Sequence, residues 1–174
     1  MRQQLKEIMK NKKLLSLYIN LDDTEKFLTG YINCISIKEI IINHITPTGN
    51  YDGYVYAKIH DIYRIETDTK YIQKIEKLMH LNLKKHHENI KIEDDILKSF
   101  LQFLKEKEWI SSFQIGDDDY YSITGFVKDI GDTAVRIMQI SDDGEEDGET
   151  IINTEVITSC QGDTMDEQII KQLI

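Results

Sequence analysis

The sequence predicts a mainly β protein with helices (α+β), built as two tandem five-stranded small barrels that each begin and end with a helix. The main observation is an internal repeat: residues 22–78 align without a gap on residues 117–173, and 16 of the 57 aligned positions are identical. Each copy also shows the same succession of patterns, namely a helical apolar stripe, five short strand-like runs and a second helical stripe. A repeat of this length is typical of one structural unit present twice, so we predict two similar domains.

A helix is predicted at both ends of each copy. The opening helices carry apolar residues at helical spacing, within residues 5–9 in the first copy and 100–104 in the second. The closing helices follow Asp68-Thr69 and Asp163-Thr164, residue types that commonly cap helix N-termini. Glu167 stands three residues after Thr164, which predicts a capping box.

Five short strands are predicted between the two helices of each copy. They span residues 14–20, 27–35, 40–45, 54–59 and 62–65 in the first copy, and 112–115, 122–130, 134–140, 149–154 and 156–160 in the second. Gly30 and Gly125 lie at equivalent places inside the second strand. A strand that turns a barrel corner bends most easily where it has no side chain, so we predict a structural role for both glycines.

Turn residues are shared between the copies at the step into the fourth strand. Gly49, Asp52 and Gly53 of the first copy match Gly144, Asp147 and Gly148 of the second. Residues 141–149 contain six carboxylates, which raises the alternative of a divalent-cation loop. Their spacing does not fit a calcium loop, and the first copy keeps only the Gly and Asp residues. A solvated turn is therefore the favoured interpretation.

The repeat divides the chain into residues 1–79, a polar connector at 80–95, and residues 96–174. The first unit has 12 basic and 10 acidic residues, whereas the last has 6 basic and 17 acidic residues. An acidic excess of this size opposes binding to a nucleic acid backbone, so DNA is not expected as a partner. Cys34 and Cys160 lack metal-ligand spacing, which favours free thiols. No apolar run has the length of a membrane span, and we predict a cytoplasmic location without membrane contact.

Each copy resembles an Sm-like small barrel, with an opening helix, a bent second strand that carries Gly30 or Gly125, and a tight polar step before the fifth strand. Similar barrels occur in tandem in bacterial proteins without a known activity. The resemblance implies RNA contacts at two loops of each copy. These loops read Ser36-Ile37-Lys38-Glu39 and Lys58-Ile59 in the first copy, and Gly131-Asp132-Thr133-Ala134 and Asn153-Thr154 in the second. Only Lys58 retains a plausible phosphate or base contact.

A contact surface is predicted on the first copy, where residues around the fourth and fifth strands are rich in tyrosine: Tyr54, Tyr56, Lys58, Tyr63 and Arg64. Such a surface would face either a partner or the sister copy. The fourth and fifth strands are also predicted to provide pairing edges, either between the two copies or between chains.

No catalytic, cofactor or metal-binding residues are predicted. The paired acids Asp22-Asp23 and Asp117-Asp118 are typical of turns, and the adjacent His86-His87 diverge on any regular element. We therefore expect a non-catalytic binding or assembly module whose partner is another protein or another copy of the chain. The alternatives are an RNA-binding protein that works through the first copy and, third, an enzyme of unknown class.

Overall fold

The computed structural model of the chain describes residues 1–81, 88–93, 95–116 and 122–174. The predicted features Asp117-Asp118 and His86-His87 lie outside these residues. The first copy contains α1 (Arg2–Lys10), β1 (Leu15–Tyr18), β2 (Leu28–Ile35), β3 (Glu39–Ile45), β4 (Tyr51–Lys58), a 3-10 turn (Ile59–Asp61), β5 (Arg64–Thr67) and α2 (Lys70–Leu81). The second contains α3 (Ile96–Lys107), β6 (Ile110–Ile115), β7 (Ser122–Ile130), β8 (Ala134–Ile140), β9 (Glu146–Asn153), a 3-10 turn (Thr154–Val156), β10 (Ile157–Gly162) and α4 (Met165–Lys171).

All ten strands form one antiparallel sheet in the order β5-β1-β2-β3-β4-β10-β6-β7-β8-β9. The prediction of two five-stranded barrels is therefore wrong, because the sheet is continuous and is not closed into a barrel. The reason lies at β4: its outer edge pairs with β10 of the other copy. The 3-10 turn at Ile59–Asp61 meanwhile carries the chain from β4 to β5, which pairs with β1 at the far end of the first copy's strands.

The repeat seen in the sequence reappears in details of the backbone. The pairing of β2 with β3 shifts register between Ile32 and Cys34, and the pairing of β7 with β8 shifts at the equivalent Val127 and Asp129. Such bulges bend a strand and increase its twist. The tight polar step predicted before the fifth strand is a 3-10 turn in both copies, and the capping box of Thr164 and Glu167 is confirmed.

The predicted bend glycines lie where two strands approach closely. A Cβ atom on Gly30 would stand 2.2 Å from the Asn43 carbonyl oxygen on β3, and a Cβ atom on Gly125 would stand 2.0 Å from the Met138 carbonyl oxygen on β8. Neither glycine has a positive φ. These glycines are thus explained by the lack of space beside β2 and β7, since any side chain would meet the backbone of the neighbouring strand.

Three apolar clusters form the core. One lies under α1 and includes Leu5, Ile40 and Ile42, and a second lies under α2. The third and largest is shared between the copies, because Ile41 of β3 packs with residues of α3 and of the second copy's strands. The three consecutive isoleucines of β3 are all buried, since the strand is covered on both faces.

The connector between the copies contributes to this packing. Ile90 is buried and belongs to the largest apolar cluster, and its backbone N–H donates to the Asn33 side chain on β2. Among the described residues, no helix is both long and apolar enough to cross a membrane.

Candidate functional site

The junction between the copies, defined here as the paired strands β4 and β10 together with the turns that flank them, is the candidate functional site. Four residue pairs join the strands, from Ser159 opposite Ala57 to Gly162 opposite Tyr54. The Ser159 hydroxyl also donates to the Tyr56 carbonyl oxygen at 3.1 Å. The backbone hydrogen bonds between two strands do not depend on side-chain identity, so the surrounding side chains determine which strand can pair here.

Tyr54 and Tyr56, predicted as contact residues, are each only 1% exposed at this junction. The Tyr54 ring stacks on Trp109 with ring centroids 5.9 Å apart and packs edge-on against Phe103 at 5.4 Å. Both partners belong to the second copy. Offset and edge-to-face ring contacts of this kind contribute about 0.5 to 1.5 kcal/mol beyond the burial of their area. The two predicted tyrosines thus lie against the sister copy.

Of the other predicted contact residues, Lys58 also lies at the junction, whereas Tyr63 and Arg64 lie at the outer edge of the sheet. Lys58, at the end of β4, donates through Nζ to the Glu155 carbonyl oxygen at 2.8 Å. Arg64 pairs with Glu66 within β5 and stands over the Tyr18 ring, with its guanidinium carbon 4.4 Å from the ring centroid. Tyr63 packs edge-on against the same ring. The five predicted residues therefore divide between the junction and the outer edge of the sheet.

Glu39, the first residue of β3, connects the two copies. The sequence did not indicate this role. Its carboxylate accepts from the Tyr56 hydroxyl at 2.9 Å and from the backbone N–H of Ile96, the first residue of α3, at 3.2 Å. A carboxylate is favourable at a helix N-terminus because unpaired N–H groups point towards it. Burial and the neighbouring Glu39 carboxylate raise the pKa of Tyr56 above its ordinary value. Glu39 thus holds α3 of one copy against β4 of the other.

The start of β4 fits closely against the turn that follows β10. A Cβ atom on Gly53 would stand 2.3 Å from the Gly162 carbonyl oxygen and 2.6 Å from the Thr164 nitrogen. The adjacent Asp52 carboxylate accepts from the Met165 N–H at 2.7 Å and lies 3.1 Å from the His44 ring nitrogen. Burial disfavours the charged carboxylate, but the contacts with His44 and Met165 outweigh it and hold the pKa of Asp52 below its ordinary value. The predicted turn residues Asp52 and Gly53 therefore bind the sister copy.

Their equivalents in the second copy meet nothing comparable. Gly148 has a φ of +80° and no atom within 4 Å of a Cβ placed on it, and the Asp147 side chain is exposed. Gly49 and Gly144 instead pack within their own copies, against Leu78 and Leu173 respectively. The acidic turn is exposed, and among the described residues no group of three or more His, Cys, Asp or Glu side chains could hold a metal ion.

A cleft of about 900 Å³ opens beside the junction, between α1 and the loop after β2 in the first copy and α3 and the loop after β7 in the second. Residues from all four loops implied by the Sm-like resemblance line it. Three of its basic groups have partners nearby: Arg2 donates to the Ser36 carbonyl oxygen, Lys58 to that of Glu155, and Lys98 stands 3.8 Å from the Asp132 carboxylate. The cleft therefore combines both signs of charge on apolar walls.

Both cysteines are free thiols, as predicted. Cys160 is buried at the junction beside Tyr56, and Cys34 is half-buried on β2. Burial raises the pKa of the Cys34 thiol to about 12 and that of Cys160 well above its ordinary value. Neither thiol has the low pKa of a reactive nucleophile.

Comparison of the chain with models of protein families, with curated proteins and with solved structures found no match.

Proposed function

We propose that the protein is a non-catalytic binding or assembly module that acts through protein–protein contacts at the open edges of its sheet. One observation carries the proposal. Tyr56 of β4, which pairs with β10, is 1% exposed within the apolar cluster shared by the two copies, whereas Ile151, at the equivalent place on β9, is 73% exposed at the end of the sheet. An edge strand that presents an apolar side chain and unpaired backbone groups is suited to strand addition by a partner.

The two open edges differ in how far they are protected against such pairing, because β5 has only four residues whereas β9 has eight, three of them carboxylates. Neither β5 nor β9 contains proline, and the sheet order places each at an end of the sheet. Proline, short length and inward-pointing charges are the common ways in which proteins protect an edge. β9 is eight residues long, so it offers a pairing surface comparable to that of β4.

The burial of the tyrosines favours a protein partner over RNA. Base stacking on Tyr54 or Tyr56 would require these rings to leave the core, where each is 1% exposed. The acidic second copy also repels a polyanion. In favour of RNA, Lys38, Lys58 and Lys98 line one cleft. The Sm-like relationship and the non-catalytic role both stay predictions.

The test is capture by the tagged full-length chain from a lysate, with and without ribonuclease, followed by identification of the retained protein and RNA. We expect a defined protein, including any untagged copy of this chain, that is retained after ribonuclease treatment and lost with Ile151→Lys. Ile37→Lys is the matched control, because Ile37 is 70% exposed but lies in the loop after β2. Retention of RNA without any protein, by the wild type and by Ile151→Lys alike, would overturn the proposal.

A further inference from the structure

We propose that the partner of the open edges is a second copy of this chain, with β9 of one molecule paired to β5 of the next in the register that joins β4 to β10 within the molecule. The inference rests on the proposed function, because it names the partner of the same edges. In the repeat alignment, β9 is the equivalent of β4, and β5 is the equivalent of β10. Each end of the sheet thus displays one half of the internal junction.

The turn residues of the internal junction are retained at both open ends. Within the molecule, Asp52 and Gly53 at the start of β4 contact the turn that carries Asp163-Thr164 after β10. At the open ends, the same residue types stand at Asp147-Gly148 on β9 and at Asp68-Thr69 after β5. These four pairs belong to the 16 identical positions of the repeat. No atom lies within 4 Å of a Cβ placed on Gly148, so the space that the turn after β10 occupies at Gly53 is open here.

The backbone of both open halves already has the junction's conformation. The φ angle is +80° at Gly148 and +70° at Gly53, its equivalent in the internal junction. On the other half, φ is +59° at Asp68 and +61° at Asp163. A residue other than glycine rarely adopts a positive φ, so its recurrence at Asp68 shows that the whole turn is reproduced. Pairing of two molecules therefore requires little rearrangement of either edge, which lowers the cost of association.

The register can be read from the internal junction. Cys160 pairs with Tyr56 there, so the equivalent Ile65 of one molecule would stand opposite Ile151 of the next. Ile65 is half-buried against the cluster under α1, and Ile151 is 73% exposed. Pairing would place the two isoleucines side by side and remove Ile151 from water. Cross-strand contacts between β-branched residues are a common source of sheet stability.

Charge favours this head-to-tail arrangement over a symmetric pairing of two β9 strands. The symmetric pair would bring together two second copies, each with 6 basic and 17 acidic residues, whereas the head-to-tail pair joins a second copy to a first copy with 12 basic and 10 acidic residues. In the head-to-tail pair, Asp147 would meet the first turn of α2 at Lys70, as Asp52 meets Met165. The first turn of α2 has no acidic residue of its own, so the incoming carboxylate would be favourable there.

A head-to-tail pair of molecules still has one unpaired β5 edge and one unpaired β9 edge. Such contacts continue until the rotation per molecule closes a ring or, failing closure, produces a filament. The second junction would be more polar than the first, because Glu149 and Thr150 replace Tyr54 and Val55. We therefore expect association that depends on protein concentration.

The first experiment measures the mass of the purified full-length protein by sedimentation and native mass spectrometry over about a hundredfold range of concentration. We expect complexes larger than one chain. Ile151→Lys should raise the dissociation constant by about tenfold or more, whereas Ile37→Lys should leave it unchanged. Asp147→Ala should weaken association more than Asp142→Ala, which removes a neighbouring exposed charge of the same turn. A monomer at every concentration would overturn the inference.

The second experiment tests the register with a short thiol-to-thiol crosslinker. Mixed chains carrying Ile65→Cys and Ile151→Cys should form covalent dimers, and each variant alone should form few. Equal crosslinking by Ile151→Cys alone would show symmetric pairing and refute the head-to-tail arrangement. A purified monomer that still captures a different protein from a lysate in an Ile151-dependent way would refute the second copy as partner and leave the proposed function standing.

Discussion

Gly53 and Gly148 allow the contribution of the internal junction to be measured with one substitution made at two equivalent places. Both glycines have a positive φ, +70° and +80° respectively. Alanine at either site therefore carries the cost of the left-handed backbone, about 1 to 2 kcal/mol. The sites differ in their neighbours, because only Gly53 faces the turn after β10.

The additional cost at Gly53 follows from three distances. A Cβ atom there would lie 2.3 Å from the Gly162 oxygen, 2.5 Å from the Asp163 carbonyl carbon and 2.6 Å from the Thr164 nitrogen. Non-bonded atoms are most favourable at about 3.5 to 4.0 Å, so the two backbones would have to separate by about 1 Å. Overpacking of this kind typically costs about 1 to 3 kcal/mol. We expect Gly53→Ala to cost about 2 to 5 kcal/mol and Gly148→Ala about 1 to 2 kcal/mol in monomeric protein.

Urea unfolding followed by tryptophan fluorescence provides the assay, since Trp109 is the single tryptophan and stacks on Tyr54 at the junction. The protein is kept dilute so that self-association does not contribute. Gly116→Ala gives the baseline, because Gly116 has a φ of +65° and no atom within 4 Å of its Cβ position. Equal costs at all three sites would refute the close fit of β4 against the turn after β10.

Three further predictions concern Gly30, Asp52 and the two cysteines. Gly30→Val should lower the free energy of unfolding by about 2 kcal/mol or more, because its Cβ would meet the Asn43 oxygen at 2.2 Å; an unchanged urea midpoint would contradict this. The depressed pKa of Asp52 adds stability that is fully present above its unfolded pKa of about 4 and is lost as the pH falls through the folded value. The difference in urea midpoint between the wild type and Asp52→Asn should therefore shrink from about pH 6 to about pH 3; a constant difference would contradict the assignment. Because burial raises the pKa of both thiols, Cys34 and Cys160 should react slowly with a thiol reagent at about pH 8 in the native chain and readily in denaturant; rapid native labelling would contradict their burial.

The elements of the fold could be predicted because the repeat and the apolar spacing are local properties. Thr164 and Glu167 identified the start of α4, and the five strands of each copy lie close to their predicted positions. The partner of β4 is a different kind of property. A short strand with a free edge can close onto its own copy or accept a strand from the sister copy, and the local sequence favours neither. The barrel prediction chose closure, whereas β4 pairs with β10.

One signal in the sequence could have indicated the correct pairing. Residues 54–57 of β4 form an uninterrupted apolar run, whereas the equivalent residues 149–152 of β9 include Glu149 and Thr150. A continuous apolar run is typical of a strand covered on both faces within a sheet, and a mixed run is typical of an edge. The difference between the copies thus distinguishes a central strand from an outer one. Glu39 offered no comparable signal, because its two partners are 17 and 57 residues away.

The copies have diverged unevenly, and the pattern of divergence follows the junction. Tyr54 and Val55 of β4 have the polar counterparts Glu149 and Thr150 on β9, as expected where a strand lies at the end of the sheet. Four turn residues at the open edges are identical to their equivalents at the internal junction, although no described residue of the same molecule packs across these edges. They are Asp147, Gly148, Asp68 and Thr69. Burial explains the first set of residues, and part of the second has an internal role, because Asp68 accepts from Lys13, the Thr69 hydroxyl accepts from the Ile72 N–H of α2, and Gly148 has a positive φ. Asp147 is exposed, whereas its equivalent Asp52 accepts from the Met165 N–H across the internal junction, so pairing of the open edges accounts for the retention of Asp147.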